Sequence, residues 1–577
     1  MIYNNKTRYG SQSLPFWGRI GWALVLKITL LFVLLFIFFA GKASAQKQLD
    51  SLEFIKMKDY QPTISNAVKL SERPVFSDST KKLPPSNYRI SSKKISTVFN
   101  TEQIKPAKMV GEPLAKLYKS LLKFGLGNYT TAYGEYFFNN LRSKEYSYGA
   151  HLKHLSSEST LKSFGYSGFS DNAIDVYGKK ILDKQTLSTD INYSRNVVHQ
   201  YGYDATIHNL KDDATIQRFN YFSPSVRLQS HYIDSSKWNH DVGAGYYYFG
   251  DSYKSHESNF KADGKFIGYY EKQQAALNSS VDYYNNRTNT DTSNNAIIKL
   301  NPFIISTDDK WTATLGLSAF MDITQDATLF KFYPQLDFSY YIIDNIFIPY
   351  AGVNGGLMKN SYKNFACENP FVSPFVNLQN NTDNAFNVYA GIRGSFSKTT
   401  FYNTKASYSK YRNMPFFVTD YSTLLLNRFQ VIYDTVTVFN FHGEIGYQQT
   451  EKIKIILKGD YNSYNPQREE QAWNKPAWQV SLSGNYNLRD KITATADFFF
   501  AGKRSAKTLT ADVTGINQTT PITLKGFADI NFGLEYRYTK RLSAYLHLNN
   551  LAATRYYRWH NYPTQKLVVM GGAAYSF

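Results

Sequence analysis

Few residues in this chain have the types and spacing that do chemistry. His151 and His154 lie three apart, which on a strand puts them on opposite faces and argues against a shared metal. His154 stands beside Ser156 and Ser157, the base and nucleophile types of a serine hydrolase. A triad also needs a third, orienting group brought from elsewhere in the chain. The single Cys, Cys367, excludes a disulfide framework and any Cys-based zinc or iron–sulfur site. There is no phosphate-binding glycine loop, no HExxH, no GxSxG and no GxGxxG after a strand. Two aromatic stretches have the composition of a stacking surface: Arg555-Tyr556-Tyr557-Arg558-Trp559-His560 and Asn369-Pro370-Phe371-Val372-Ser373-Pro374-Phe375. The first can stack sugars or bases; the second is read as a packed loop. These residues lead to no expected enzyme, cofactor or metal.

The elements that would position such residues emerge from composition. The chain has 577 residues, 47 Tyr, 41 Phe and a mean hydropathy of −0.41. That much aromatic content excludes a wholly disordered chain. The net charge of +20 is concentrated at one end. Residues 1–45 hold five basic and no acidic residues, and residues 46–123 hold 15 Lys/Arg against 7 Asp/Glu. Residues 124–577 are nearly balanced in charge, and the chain has no long basic run interleaved with aromatics, so nucleic acid is not an expected partner.

Lys6, Arg8, Arg19 and Lys27 lead into Ile28–Ala40, apolar except for Thr29. Ala43 and Ala45 then fit the small-residue cleavage pattern, which predicts a signal peptide over 1–45 and a mature chain starting at Gln46. Residues 46–115, punctuated by Pro62, Pro74, Pro84, Pro85 and Pro106, read as a basic, largely extended periplasmic segment.

From 116 to 577 strict alternation takes over. Trp311, Ala313, Leu315, Leu317, Ala319 and Met321 share one face, and Trp478, Val480, Leu482, Tyr486 and Leu488 share another. A period of two is that of a strand, and the runs match the ~9–11 residues of a tilted strand crossing a bilayer. Trp311, Trp478, Tyr536 and Tyr538 sit near strand ends, as in an interfacial girdle. Ten tight polar junctions, near 141–144, 182–184, 234–237, 271–272, 308–310, 344–345, 397–399, 450–452, 489–491 and 539–541, alternate with longer connections. The latter include 155–171, 200–214, 358–383, 411–434, 464–475, 502–521 and 552–565. With an opening strand near 116–126 and a closing strand at 566–577, the expectation is an all-β, antiparallel transmembrane barrel. It has about 22 strands, short periplasmic turns and long extracellular loops.

The chain ends on a strand closing at Tyr575-Ser576-Phe577, which looks like the signal read by the outer-membrane barrel insertion machinery. Before it stand Leu546-His547-Leu548-Asn549-Asn550-Leu551, Tyr556-Tyr557 and Tyr562-Pro563. These residues resemble the closing strands of TonB-dependent receptors of the Bacteroidetes type, with Asn549, Asn550, Leu551, Tyr562 and Pro563 carrying the motif. Gln565-Lys566 departs from the family's usual Gly-Arg. The resemblance implies a barrel in the outer membrane of a Gram-negative bacterium, in contact with outer-membrane lipid and involved in solute transport or an envelope complex. Residues 46–115 are too few and too rich in Pro and Lys for the family's plug. TonB coupling is therefore not implied, and a periplasmic or lumen-filling partner protein is expected in its place. The alternative function is a non-transporting barrel that serves as a binding or assembly partner through its outer loops or its N-terminal segment.

Overall fold

The computed structural model describes residues 116–577 apart from 234–236, 271–272, 289–291, 326 and 512–516. The predicted signal peptide, its cleavage residues Ala43, Ala45 and Gln46, and the segment 46–115 lie outside the described residues.

Twenty-two antiparallel strands form one sheet that closes on itself. The opening strand Ser120–Gly127 pairs on one side with Thr131–Asn139 and on the other with the closing strand Val568–Ser576. Leu122 lies opposite Tyr575 and Gly127 opposite Met570, so no edge is left to template aggregation. Closure also gives every strand of the ring a hydrogen-bonding neighbour on both sides, the arrangement a bilayer core demands.

The alternation read from sequence sorts the two faces. In Trp311–Ile323, Leu315 and Leu317 are exposed, whereas Ser318, Phe320 and Asp322 are buried. The outward set meets lipid, and the inward set builds a polar lumen wall. That wall is laced with polar and charged pairs: Glu135 with Lys123 at 3.2 Å and His151 at 3.0 Å, and Arg227 with Asp241 at 2.7 Å and Asp263 at 3.0 Å. His442 lies 2.9 Å from Asp460 in the same way. Among the described residues no helix is long and apolar enough to cross a membrane. The strands do the crossing.

The two rims differ. At the end that carries Ser120 and Ser576, successive strands are joined by ten short connections at the junctions expected from the sequence. At 489–490 both Arg489 and Asp490 have positive φ, +51° and +56°, the backbone of a type I′ turn that matches strand twist. Nothing is described of 234–236 or 271–272 within two of these turns.

At the opposite, outer rim the connections are uneven, and one expectation needs correction. The expected loop 411–434 is mostly strand: Thr400–Thr419 and Phe429–Gln449 run on past their neighbours, leaving only 420–428 as connection. Part of 502–521 belongs to a separate hairpin, Arg504–Ala511 with Asn517–Leu524. Within 552–565, Tyr557–Trp559 and Tyr562–Pro563 form a small ribbon. Alternation fails in these stretches because they do not lie between lipid and lumen.

Candidate functional site

The long strand pair is the main piece of an inward-folded lid. At Asn413, φ +54°, one extra residue enters Thr400–Thr419: Tyr411 pairs with Val436, and Met414 already pairs with Asp434. Such a bulge bends a strand and swaps its faces. Beyond it Phe416 and Phe417 are both fully buried although they point opposite ways. Phe416 packs with Val418, Val436, Val438 and Trp473. Phe417 packs with Phe365 and, at 5.2 Å between ring centres, Trp559. The hairpin is therefore covered on both faces.

Its tip reaches the far wall. Around the ring of 22 strands, Phe429–Gln449 and Ile216–Ser230 are ten steps apart, on opposite sides. Yet Asn427 Nδ2 donates to the Gln200 carbonyl at 2.7 Å, and the Arg428 guanidinium donates to Gln200 Oε1 and to the Tyr253 hydroxyl, each at 2.8 Å. Connection 359–381 lies in the same layer, with a short helix Tyr362–Glu368 capped by Ser361. It is strapped to the tip by backbone bonds, Ser373 N to Phe429 O and Phe429 N to Phe371 O. It is pinned to the wall as well. Lys359 lies 3.4 Å from Glu257 and 3.3 Å from Asp282, and the Tyr362 hydroxyl donates to Asp251 at 2.6 Å.

Tyr562 is the hub. It is 1% exposed, stacks on Phe371 at 3.6 Å and meets Tyr201 edge-on at 4.8 Å. Its hydroxyl donates to the Asn427 carbonyl, while the Tyr201 hydroxyl donates to the Pro563 carbonyl. Hairpin 504–524 closes the arrangement, with the Arg504 guanidinium donating to the Arg558 and Tyr557 carbonyls. Burial raises the Tyr562 and Tyr362 hydroxyls well above an ordinary tyrosine, the latter also because Asp251 faces it. Burial likewise raises the Asp251 carboxyl and lowers the His560 imidazole. Connections from opposite walls thus meet over the outer mouth in one aromatic, hydrogen-bonded layer.

No family profile matches the chain, and no curated protein matches it. Solved structures do. The FrpB iron transporter from Neisseria meningitidis is similar with a TM-score of 0.62 at 10% identity, over 80% of this chain and 82% of that one. The pyoverdine outer membrane receptor FpvA from Pseudomonas aeruginosa gives 0.61 at 11%, over 81% and 79%. A mutant of the ferric enterobactin receptor PfeA, also from Pseudomonas aeruginosa, gives 0.59 at 14%, over 79% and 80%. The fold is that of a TonB-dependent receptor barrel. The likeness covers the fold; at such identity it brings no cargo with it. No plug is evident among the described residues of this receptor-like barrel.

The residues of the closing motif fall in two places. Asn549 ends the strand Leu542–Asn549, and Asn550 turns the chain with φ +52°, donating to the Thr554 and Gln565 carbonyls. Leu551 is exposed, its N–H held by the Ile530 carbonyl. Tyr562 and Pro563 lie in the lid. Tyr575 and Phe577 are exposed on the outer face of the closing strand, stacked at 6.0 Å, and the Phe577 backbone exchanges bonds with Ser120. In the two aromatic stretches Trp559 and Val372 are buried and packed in the lid, so neither stretch offers those side chains to a ligand. Sequence reasoning passed over Pro415-Phe416-Phe417-Val418. That unbroken apolar run is the signal of a strand buried on both faces.

Among the described residues no group of three or more His, Cys, Asp or Glu is placed to hold a metal.

Proposed function

We propose that this receptor-like barrel moves a solute across the outer membrane and that its outer mouth is gated by the lid. The supporting observation is the layer centred on Tyr562, in which connections from opposite walls are hydrogen-bonded to one another. A wide barrel, normally plugged, is here obstructed from outside, so passage requires the lid to move. The names of FrpB and FpvA mention iron and pyoverdine, which makes an iron chelate the first class of cargo to test. Ala43 and Ala45 would direct cleavage before Gln46, residues 46–115 would stay periplasmic as a basic segment, and Tyr575 and Phe577 would present the barrel for insertion. No catalytic step is assigned to the lumen.

Single-channel conductance of the purified barrel tests the reading. A quiet channel that opens when lid contacts are cut supports it. A barrel that stays silent with the lid cut and 46–115 deleted, and that co-purifies with a periplasmic protein, overturns it. The alternative, a binding or assembly barrel, would then stand. Deleting 46–115 alone should raise conductance if that segment occludes the lumen.

A further inference from the structure

The outward face of the barrel carries a second arrangement, unconnected with the lumen. His154 and Ser156 are two apart near the outer end of strand Tyr146–Ser157, and Asn172 lies opposite His154 on the adjacent strand Phe169–Ile181. His154 Nε2 is 3.1 Å from Ser156 Oγ, and Nδ1 is 2.7 Å from Asn172 Oδ1. Nucleophile, base and orienting group are thus in one line. His151, three residues earlier, faces the lumen with Glu135 and Asp175.

The hydrogen bonds fix the proton. Asn172 Nδ2 donates to the Arg195 carbonyl at 3.3 Å and to Ser170 Oγ at 3.0 Å. A carbonyl only accepts, so the amide is oriented with Oδ1 toward the histidine. Oδ1 in turn only accepts, so Nδ1 carries the hydrogen, and in the neutral imidazole Nε2 presents its lone pair to Ser156. This is the tautomer a general base needs.

The surroundings name the substrate. The same outward parity carries Leu152, Ile174, Phe124 and Leu126, all exposed, and these stand in the band that meets lipid tails. Gly134, paired with His154, has nothing within 4 Å of where a side chain would begin, so the wall beside the histidine is open. Arg195, exposed and paired with Asn172, is the cation that a lipid phosphate would meet. Ser170 lies opposite Ser156 and accepts through its Oγ, which leaves its hydroxyl hydrogen able to turn to a developing oxyanion.

We propose that Ser156, His154 and Asn172 form a hydrolytic site on the lipid-facing wall that cleaves acyl esters of glycerophospholipids in the outer leaflet. Ser156 Oγ attacks the ester carbonyl while its proton passes to His154 Nε2. The carbon–oxygen bond to glycerol breaks, and the lysolipid alcohol leaves with that proton. Water then attacks the acyl-serine, giving a proton to His154, and Ser156 recovers it as the fatty acid departs. Asn172 is a positioning residue that holds the tautomer.

The test uses the purified barrel in mixed micelles of phosphatidylethanolamine and detergent, read by fatty-acid release and by labelling with a fluorophosphonate probe. Wild type should release fatty acid and carry the label on Ser156. Ser156→Ala should lose the label and at least ~10²-fold of the rate, the low end of what a positioned base and nucleophile contribute, while heat-modifiable migration stays unchanged. Asn172→Ala should lower kcat more than KM and shift the pH profile, whereas Ser481→Ala, on the lumen side of a distant strand, should label as wild type. Absence of release and label in folded wild type, or release retained by Ser156→Ala, overturns the proposal. The lid and its conductance are untouched by either result.

Discussion

Replacing Tyr562 tests whether the lid is a separate, weaker unit than the barrel it covers. Tyr562→Phe removes one hydroxyl and leaves the Asn427 carbonyl without that donor. A net hydrogen bond is worth about 0.5–1.5 kcal/mol. Tyr562→Ala also removes a ring that is 1% exposed, stacked at 3.6 Å on Phe371 and edge-on to Tyr201. Truncating a buried aromatic costs about 3–5 kcal/mol. None of these contacts lies in the strand ladder, so the loss should fall on lid opening alone. At ~1.4 kcal/mol per tenfold, Phe should raise the open population about 2- to 12-fold and Ala roughly 10²- to 4 × 10³-fold. Limited proteolysis of the folded barrel in detergent reads that population when opening and closing are fast relative to cleavage. The expected result is faster cleavage within 359–381 and 420–428, graded Ala over Phe, with heat-modifiable migration unchanged. Conductance should follow the same order. Cleavage by Tyr562→Ala within threefold of wild type, or simultaneous collapse of the barrel, would refute the reasoning.

Three other outcomes are expected. Lys359→Met removes the cation between Glu257 and Asp282; stripping one partner from a buried pair typically costs about 3–5 kcal/mol, so protease access at 359–381 should rise without barrel unfolding. His560 has its imidazole lowered by burial in the closed lid. The closed state thus binds fewer protons than the open one, and closure should weaken as pH falls below the ordinary histidine value of ~6.5; His560→Gln should flatten that dependence in a proteolysis series. Gly572 lies at the barrel seam, where an added Cβ would meet the Phe124 carbonyl and the Tyr545 ring. Gly572→Val should therefore reduce the heat-modifiable fraction of refolded protein.

The sequence carried the barrel because lipid on one side and water on the other force every second residue to differ. That constraint is local, so it is written in runs such as Trp311–Met321 and in turns such as Arg489–Asp490, and ten junctions sufficed to reach 22 strands. The lid was not legible in the same way. Residues 411–434 look irregular because Phe416 and Phe417 are both buried, and a strand covered on both faces loses its alternation. Tyr562 was singled out as part of a family-like ending, yet its contacts with Phe371, Tyr201 and Asn427 join positions 135 to more than 300 residues apart.

His154 makes the same division in small. Its place beside Ser156 and its opposition to His151 come from strand periodicity alone. The third group does not: Asn172 becomes the partner of His154 only through the register between two strands, fixed by the ladder around them. The sequence by itself determined that this chain closes into a membrane barrel, since each strand answers to the bilayer locally. Only the tertiary structure decided what spans its outer mouth and which side chains meet on its outer wall, because those contacts depend on closing the ring.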